Sequence, residues 1–77
     1  MTLTLYSKPG CHLCEDLRAL LDELQPEFGF TIAEIDIMGD ADLSARYRLD
    51  IPVLFKDEKE IARGRIADRE LLMLLRA

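Results

Sequence analysis

The chain has no run of about 18 apolar residues, so it holds no candidate for a membrane-spanning helix. It has no surplus of basic charge either. Fifteen Asp and Glu stand against ten Lys and Arg, a formal charge of −5. A nucleic-acid module of this size carries a basic face, so that class is disfavoured, and the same sign of charge works against docking on anionic lipid. The opening Met1-Thr2-Leu3-Thr4-Leu5-Tyr6 lacks a basic region and its apolar run is too short for a secretory signal, which predicts a cytoplasmic protein. Cysteine is scarce: Cys11 and Cys14 are the only two. A disulfide-stapled secreted domain needs four or more, so this pair is not read as a structural staple. Low-complexity tracts, linkers and internal repeats are missing as well.

What is present fits one domain over residues 1–77, since two would not fit in this length. A chain this small buries only about 60–65% of its unfolded surface, and its stability is expected to be a few kcal/mol. With 49% hydrophobic and 32% charged residues, it has the balance of a folded protein rather than a disordered one.

The patterning predicts seven elements. Thr2 to Tyr6 alternates and is β-prone, and Ser7-Lys8-Pro9-Gly10 reads as a turn. From Cys11 to Gln25, the residues Leu13, Cys14, Leu17, Leu20, Leu21 and Leu24 form a helical stripe, with Pro26 and Gly29 expected to close it. Phe30 to Ile37 reads as a second strand, parallel to the first because a helix separates them. Asp40 is a candidate N-cap for a short helix with Leu43 and Tyr47 inward. Pro52 to Phe55 and Glu60 to Arg63 read as a hairpin around a polar turn. Gly64 ends it, and Asp68 is a candidate N-cap for a last helix with Leu71, Leu72, Leu74 and Leu75 inward. The order β-α-β-α-β-β-α predicts an α/β sandwich with a four-stranded mixed sheet flanked by helices.

The chemistry centres on Cys11-His12-Leu13-Cys14 at the strand-to-helix junction. Residues i and i+3 of a helix share a face about 5–6 Å apart, within the ~4.4–6.8 Å Cα separation of a disulfide. Cys11 falls at the helix N-terminus, where free N–H groups and the positive end of the dipole favour a thiolate. An unperturbed thiol of pKa ~8.5 is only about 3% ionised at pH 7, so such help matters. His12, when protonated, adds to it. Cys14 lies one turn deeper and suits the resolving role. Two unrelated core cysteines are the plain alternative, and the spacing and position in a βαβ unit argue against it.

The stretch Tyr6-Ser7-Lys8-Pro9-Gly10-Cys11-His12-Leu13-Cys14 resembles the active-site segment of glutaredoxins and small glutaredoxin-like proteins of the thioredoxin fold. Ile51-Pro52-Val53 resembles their Val-Pro signature, and Gly64 followed by Asp68 their glycine turn into the last helix. The element order is also theirs, so the resemblance covers the whole chain. It implies a thioredoxin-like, glutaredoxin-type sandwich and a thiol-disulfide oxidoreductase that reduces protein disulfides or glutathionylated thiols. It further implies a cis Ile51–Pro52 bond facing the cysteines, with the backbone of Ile51 pairing with a bound thiol substrate. Lys8 matches a basic residue that supports the thiolate and contacts glutathione, and Gly64 and Asp68 match the ligand-binding turn. The expected partners are glutathione as co-substrate, or a flavin thiol reductase, together with disulfide-containing proteins. No bound cofactor and a monomeric chain are expected. The departures fall on His12-Leu13 between the cysteines, on Asp50 two residues before the proline, and on Arg65 after Gly64.

Two other readings use the same residues. Paired thiolates select Cu(I) and Zn(II), so a soft-metal carrier, or a dimer sharing an iron–sulfur cluster, is one alternative. Small copper chaperones, however, end on a strand, whereas Leu71 to Leu75 looks helical. A non-catalytic adaptor of the same fold is the other, and it predicts that Cys11→Ser leaves function intact.

Overall fold

A computed structural model describes residues 1–77. Its elements are β1 (Thr2–Ser7), α1 (His12–Phe28), β2 (Thr31–Asp36), a 3₁₀ turn (Ile37–Gly39), α2 (Ala41–Tyr47), β3 (Val53–Lys56), β4 (Lys59–Arg63) and α3 (Asp68–Arg76). The sheet order is β2-β1-β3-β4, with β1 parallel to β2, antiparallel to β3, and β3 antiparallel to β4. This is the mixed α/β sandwich that the patterning predicts.

The alternation in β1 sorts its side chains. Leu3, Leu5 and Ser7 are buried on one face, and Thr4 and Tyr6 lie half-buried on the other. Onto the first face pack Leu17 and Leu21 of α1 and Leu71 and Leu75 of α3, closing a core that includes Phe30 and Leu54. Leu3, Leu5, Leu21, Leu54 and Leu71 are fully buried. Each contributes about 1.5–3 kcal/mol relative to exposure, so this layer holds the fold together. On the opposite face a smaller cluster joins Ile37, Tyr47 and Val53.

Two terminators differ from the sequence reading. Helix α1 does not stop near Gln25 but runs through Pro26 to Phe28. Proline there removes one donor, and the carbonyl it leaves free belongs to Asp22, an exposed residue, so the loss falls on the solvent side of the helix. The extra turn is held by tertiary contacts. Leu24 and Phe28 pack on the core, the Phe28 and Phe30 rings stack at 6.3 Å, and the Gln25 side-chain amide donates to the Phe30 carbonyl at 3.0 Å. Gly29 then ends the helix at φ 73°, a left-handed conformation, donating its N–H to the Gln25 carbonyl at 2.7 Å.

At α3 the N-cap is Ala67, with no side-chain capping bond, and Asp68 is the first helical residue. Asp68 is therefore not the cap that the sequence suggests. Its carboxylate still sits in the first turn, where the helix dipole favours it. On the inner face, Leu71 and Leu75 are buried, while Leu72 and Leu74 are only half-buried. By contrast, Asp40 caps α2 as expected, accepting from the N–H groups of Asp42 at 2.9 Å and Leu43 at 3.1 Å.

Candidate active site

The topology gathers the chemistry at one edge. Strands β1, β2 and β4 finish, and β3 begins, at the same end of the sheet. The β1–α1 loop, the segment before β3 and the turn into α3 therefore meet there. That end holds all of Lys8, Cys11, His12, Cys14, Ile51, Pro52, Gly64 and Asp68.

Cys11 is the N-cap of α1, in extended conformation, and Cys14 lies one turn into the helix. Their Cα atoms are 5.2 Å apart and the two are joined as a disulfide. The Cys14 N–H points at the Cys11 sulfur, 3.2 Å away. That contact is the ordinary capping bond of a helix with sulfur in place of oxygen. Together with the dipole it favours negative charge on Cys11 once the pair is reduced. The two differ in access: Cys14 is 2% exposed and packed on the core, whereas Cys11 is half-buried. The loop reaching Cys11 is tightened by its N–H donating to the Lys8 carbonyl at 3.3 Å, with Gly10 at φ 81°.

The Ile51–Pro52 peptide is cis, as the resemblance implies. Pro52 is buried and its carbonyl accepts from the Gly64 N–H at 2.7 Å, which ties the segment before β3 to the turn into α3. The Ile51 N–H bonds back to the Tyr47 carbonyl at 3.1 Å. Gly64 takes φ 72°, a conformation glycine adopts without strain.

The remaining nominated residues divide between two flanks. His12 is 91% exposed, with its Nδ1 3.5 Å from a Glu15 carboxylate oxygen. Lys8 borders a pocket with Ser7, Pro9, Glu15, Glu34 and Asp36. Gly64 and Asp68 line a different groove, between α1 and the turn into α3, which begins at Leu13. The structure therefore does not bring Lys8 into one cavity with Gly64 and Asp68.

Sequence reasoning missed two supports of the site. Ser7, read as a turn residue, is the last residue of β1 and is 4% exposed. Its hydroxyl donates to Glu34 at 2.8 Å, and Glu34 also accepts from Arg18 at 2.9 Å, which pairs with Asp22 at 3.0 Å. These bonds hold the Arg18 guanidinium above its ordinary value, the Asp22 bond contributing most. They also join β1, β2 and α1 directly behind the cysteine loop. The acidic Glu34 interspersed in a β-prone apolar run was the available signal. The second support is Arg63, which pairs with Asp50 at 3.0 Å and with Glu60 at 2.7 Å and lies over the Tyr47 ring at 5.7 Å. Asp50 is one of the departures from the glutaredoxin pattern, and this bond gives it a role beside Ile51.

A mixed sheet whose first strand feeds a cysteine-capped helix, with a second cysteine one turn on and a cis-proline at the same edge, defines a dithiol protein of the thioredoxin fold. Thioredoxin 1 of Thermosipho africanus matches it in fold at 18% identity, with a TM-score of 0.66 over 97% of this chain and 89% of that one. The family model described as "Glutaredoxin-like domain (DUF836)" matches residues 2–76, and the chain belongs to that family. A glutaredoxin-like protein of Dictyostelium discoideum is 30% identical over 92% of this chain and 71% of its own length. Among solved structures, a structural-genomics target from X. campestris is 27% identical, with a TM-score of 0.82 over 96% of this chain and 95% of that one. A protein from Nitrosomonas europaea is 32% identical, with a TM-score of 0.78 over 95% and 88%. No helix is long and apolar enough to cross a membrane.

Proposed function

We propose that the protein is a cytosolic dithiol–disulfide oxidoreductase acting on protein disulfides or glutathionylated thiols. The observation that carries this reading is the asymmetric cysteine pair, a helix-capping Cys11 bonded to a buried Cys14 whose N–H faces the Cys11 sulfur. In the first step the Cys11 thiolate attacks one sulfur of a substrate disulfide. A Cys11–substrate bond forms, and the other substrate sulfur leaves as a thiolate that takes a proton. The Cys14 thiolate then attacks Cys11, releasing the second substrate sulfur and closing the Cys11–Cys14 disulfide. Two electrons have passed to the substrate. A thiol reductant, glutathione or a flavin-dependent reductase, returns them. Lys8, His12, Ile51, Pro52, Gly64 and Asp68 are the candidate contacts for the substrate.

The test is a redox titration of the metal-free protein in glutathione buffers, read by intact mass. The expected result is a reversible two-electron transition between about −270 and −200 mV, the range spanned by thioredoxins and glutaredoxins. Cys11→Ser should abolish disulfide reduction, and Cys14→Ser should accumulate mixed disulfides on Cys11. A pair that does not cycle, a potential near the ~ −120 mV of a strong oxidant, or tightly held metal would each overturn the reading. An active Cys11→Ser variant would point to the adaptor instead.

A further inference from the structure

The groove that begins at Leu13 carries chemistry that thiol exchange leaves unused. Its volume is about 350 Å³. Its more buried lining is apolar, from Leu13, Leu20 and Ile66, while the exposed lining carries Asp16, Glu23 and Asp68 against the single cation Arg65. None of these four charged side chains is engaged in an ion pair within the molecule. Three carboxylates and one guanidinium leave the groove with a local charge of −2. The pocket that Lys8 borders also holds Glu15, Glu34 and Asp36, of which Glu34 is paired with Arg18. The groove thus shares the negative sign of the whole chain.

The groove also has length. From Leu13 to Glu23 a helix rises about 15 Å, enough for four or five residues of extended chain at about 3.3 Å each. Glutathione is a tripeptide with two carboxylates and one ammonium. It is too short to fill such a groove, and its net negative charge is repelled by the rim. We propose, resting on the dithiol reading above, that this groove binds a basic polypeptide segment next to the substrate disulfide. An apolar side chain covers Leu13, Leu20 and Ile66, and Lys or Arg side chains meet Asp16, Glu23 and Asp68. The preferred substrate is then a protein disulfide in a positively charged neighbourhood. The long-range field of the acidic surface speeds its encounter with Cys11.

Two synthetic peptides test this. They share an apolar core around one cysteine, are flanked by two lysines or by two glutamates, and are supplied as symmetric disulfides. The reduced protein converts each disulfide into two peptide thiols and itself into the Cys11–Cys14 disulfide. The basic peptide should react about tenfold faster at low ionic strength, and the gap should collapse near about 0.5 M salt, where the screening length falls to a few ångströms. Glutathione disulfide should react no faster than the acidic peptide. Asp16→Asn combined with Glu23→Gln should bring the basic-to-acidic rate ratio toward one. In parallel, cysteine-free versions are titrated into the ¹⁵N-labelled oxidised protein. The basic one should shift the amide signals of Leu13, Leu20 and Ile66, and the acidic one should not. Equal rates, or shifts that bypass these residues, overturn the groove assignment and leave the dithiol chemistry standing. Groove shifts without reduction of either disulfide overturn the dithiol reading and leave a peptide-binding site.

Discussion

The two faces of the sheet are covered unequally. One face lies under α1 and α3, and its core is eight buried residues, nearly all leucine. The other lies under the seven residues of α2, and its buried cluster is Ile37, Tyr47 and Val53. There aromatic rings do much of the packing, Tyr6 stacking on Tyr47 at 5.1 Å and meeting Phe55 edge-on at 5.6 Å. Charged groups fasten it, through Arg63, Asp50 and Glu60. The thick face supplies most of the apolar burial and therefore most of the stability. The thin face lies next to Ile51 and Pro52 and serves chiefly to hold that segment in place.

The two faces should differ most at buried side chains of equal exposure. Leu21 and Ile37 are both fully buried. Truncation to alanine costs about 2–5 kcal/mol depending on how well the site collapses. Leu21→Ala should fall in the upper part of that range and Ile37→Ala in the lower part, measured by urea unfolding. Equal losses would mean that the thin face carries as much of the fold as the thick one.

A smaller effect concerns the fastening. Arg63→Ala should leave the thermal midpoint nearly in place, since exposed ion pairs contribute little. It should slow the reaction of Cys11 with a disulfide several-fold, by releasing Asp50 and with it Ile51. Arg63→Lys keeps the charge but loses the planar fork and should lie between. A large drop in midpoint with unchanged reactivity would reverse the assignment of roles.

The smallest effect is on acid stability. Hydrogen bonds from Arg63 hold the Glu60 carboxyl below its ordinary value. A depressed carboxyl contributes stability that is fully present above its unfolded value, about 4.3, and that is lost as pH falls through the lower folded value. Glu60→Gln should therefore make the acid limb of the stability curve slightly shallower, as read by thermal midpoints between pH 5 and the acid transition.

Much of this architecture is legible in the sequence because it is local. The period-2 alternation of β1, the leucine stripe of α1, the Asp40 cap and the Cys11-x-x-Cys14 spacing each lie within one element. What escapes depends on partners that the sequence scatters. Pro26 reads as a stop, but Phe28 finds Phe30 and the core, and that contact outweighs the lost donor. Asp68 has the chemistry of a cap, yet the chain enters α3 one residue earlier. Ser7 reads as a turn residue because Glu34, which accepts from its hydroxyl, comes from another strand. Asp50 reads as a departure from a pattern until Arg63 is seen beside it.

The inequality between the two cysteines has a further consequence. Cys14 is 2% exposed, so an incoming reagent meets only Cys11. Every adduct with an outside molecule, whether peptide, glutathione, alkylating agent or peroxide, should share one regiochemistry. Mass spectra of briefly labelled reduced protein should place the first modification on residue 11 throughout. Cys14, shielded from the same chemistry, stays available to undo whatever reversible sulfur bond forms there, so a single inward-facing thiol gives the surface thiol a means of self-repair.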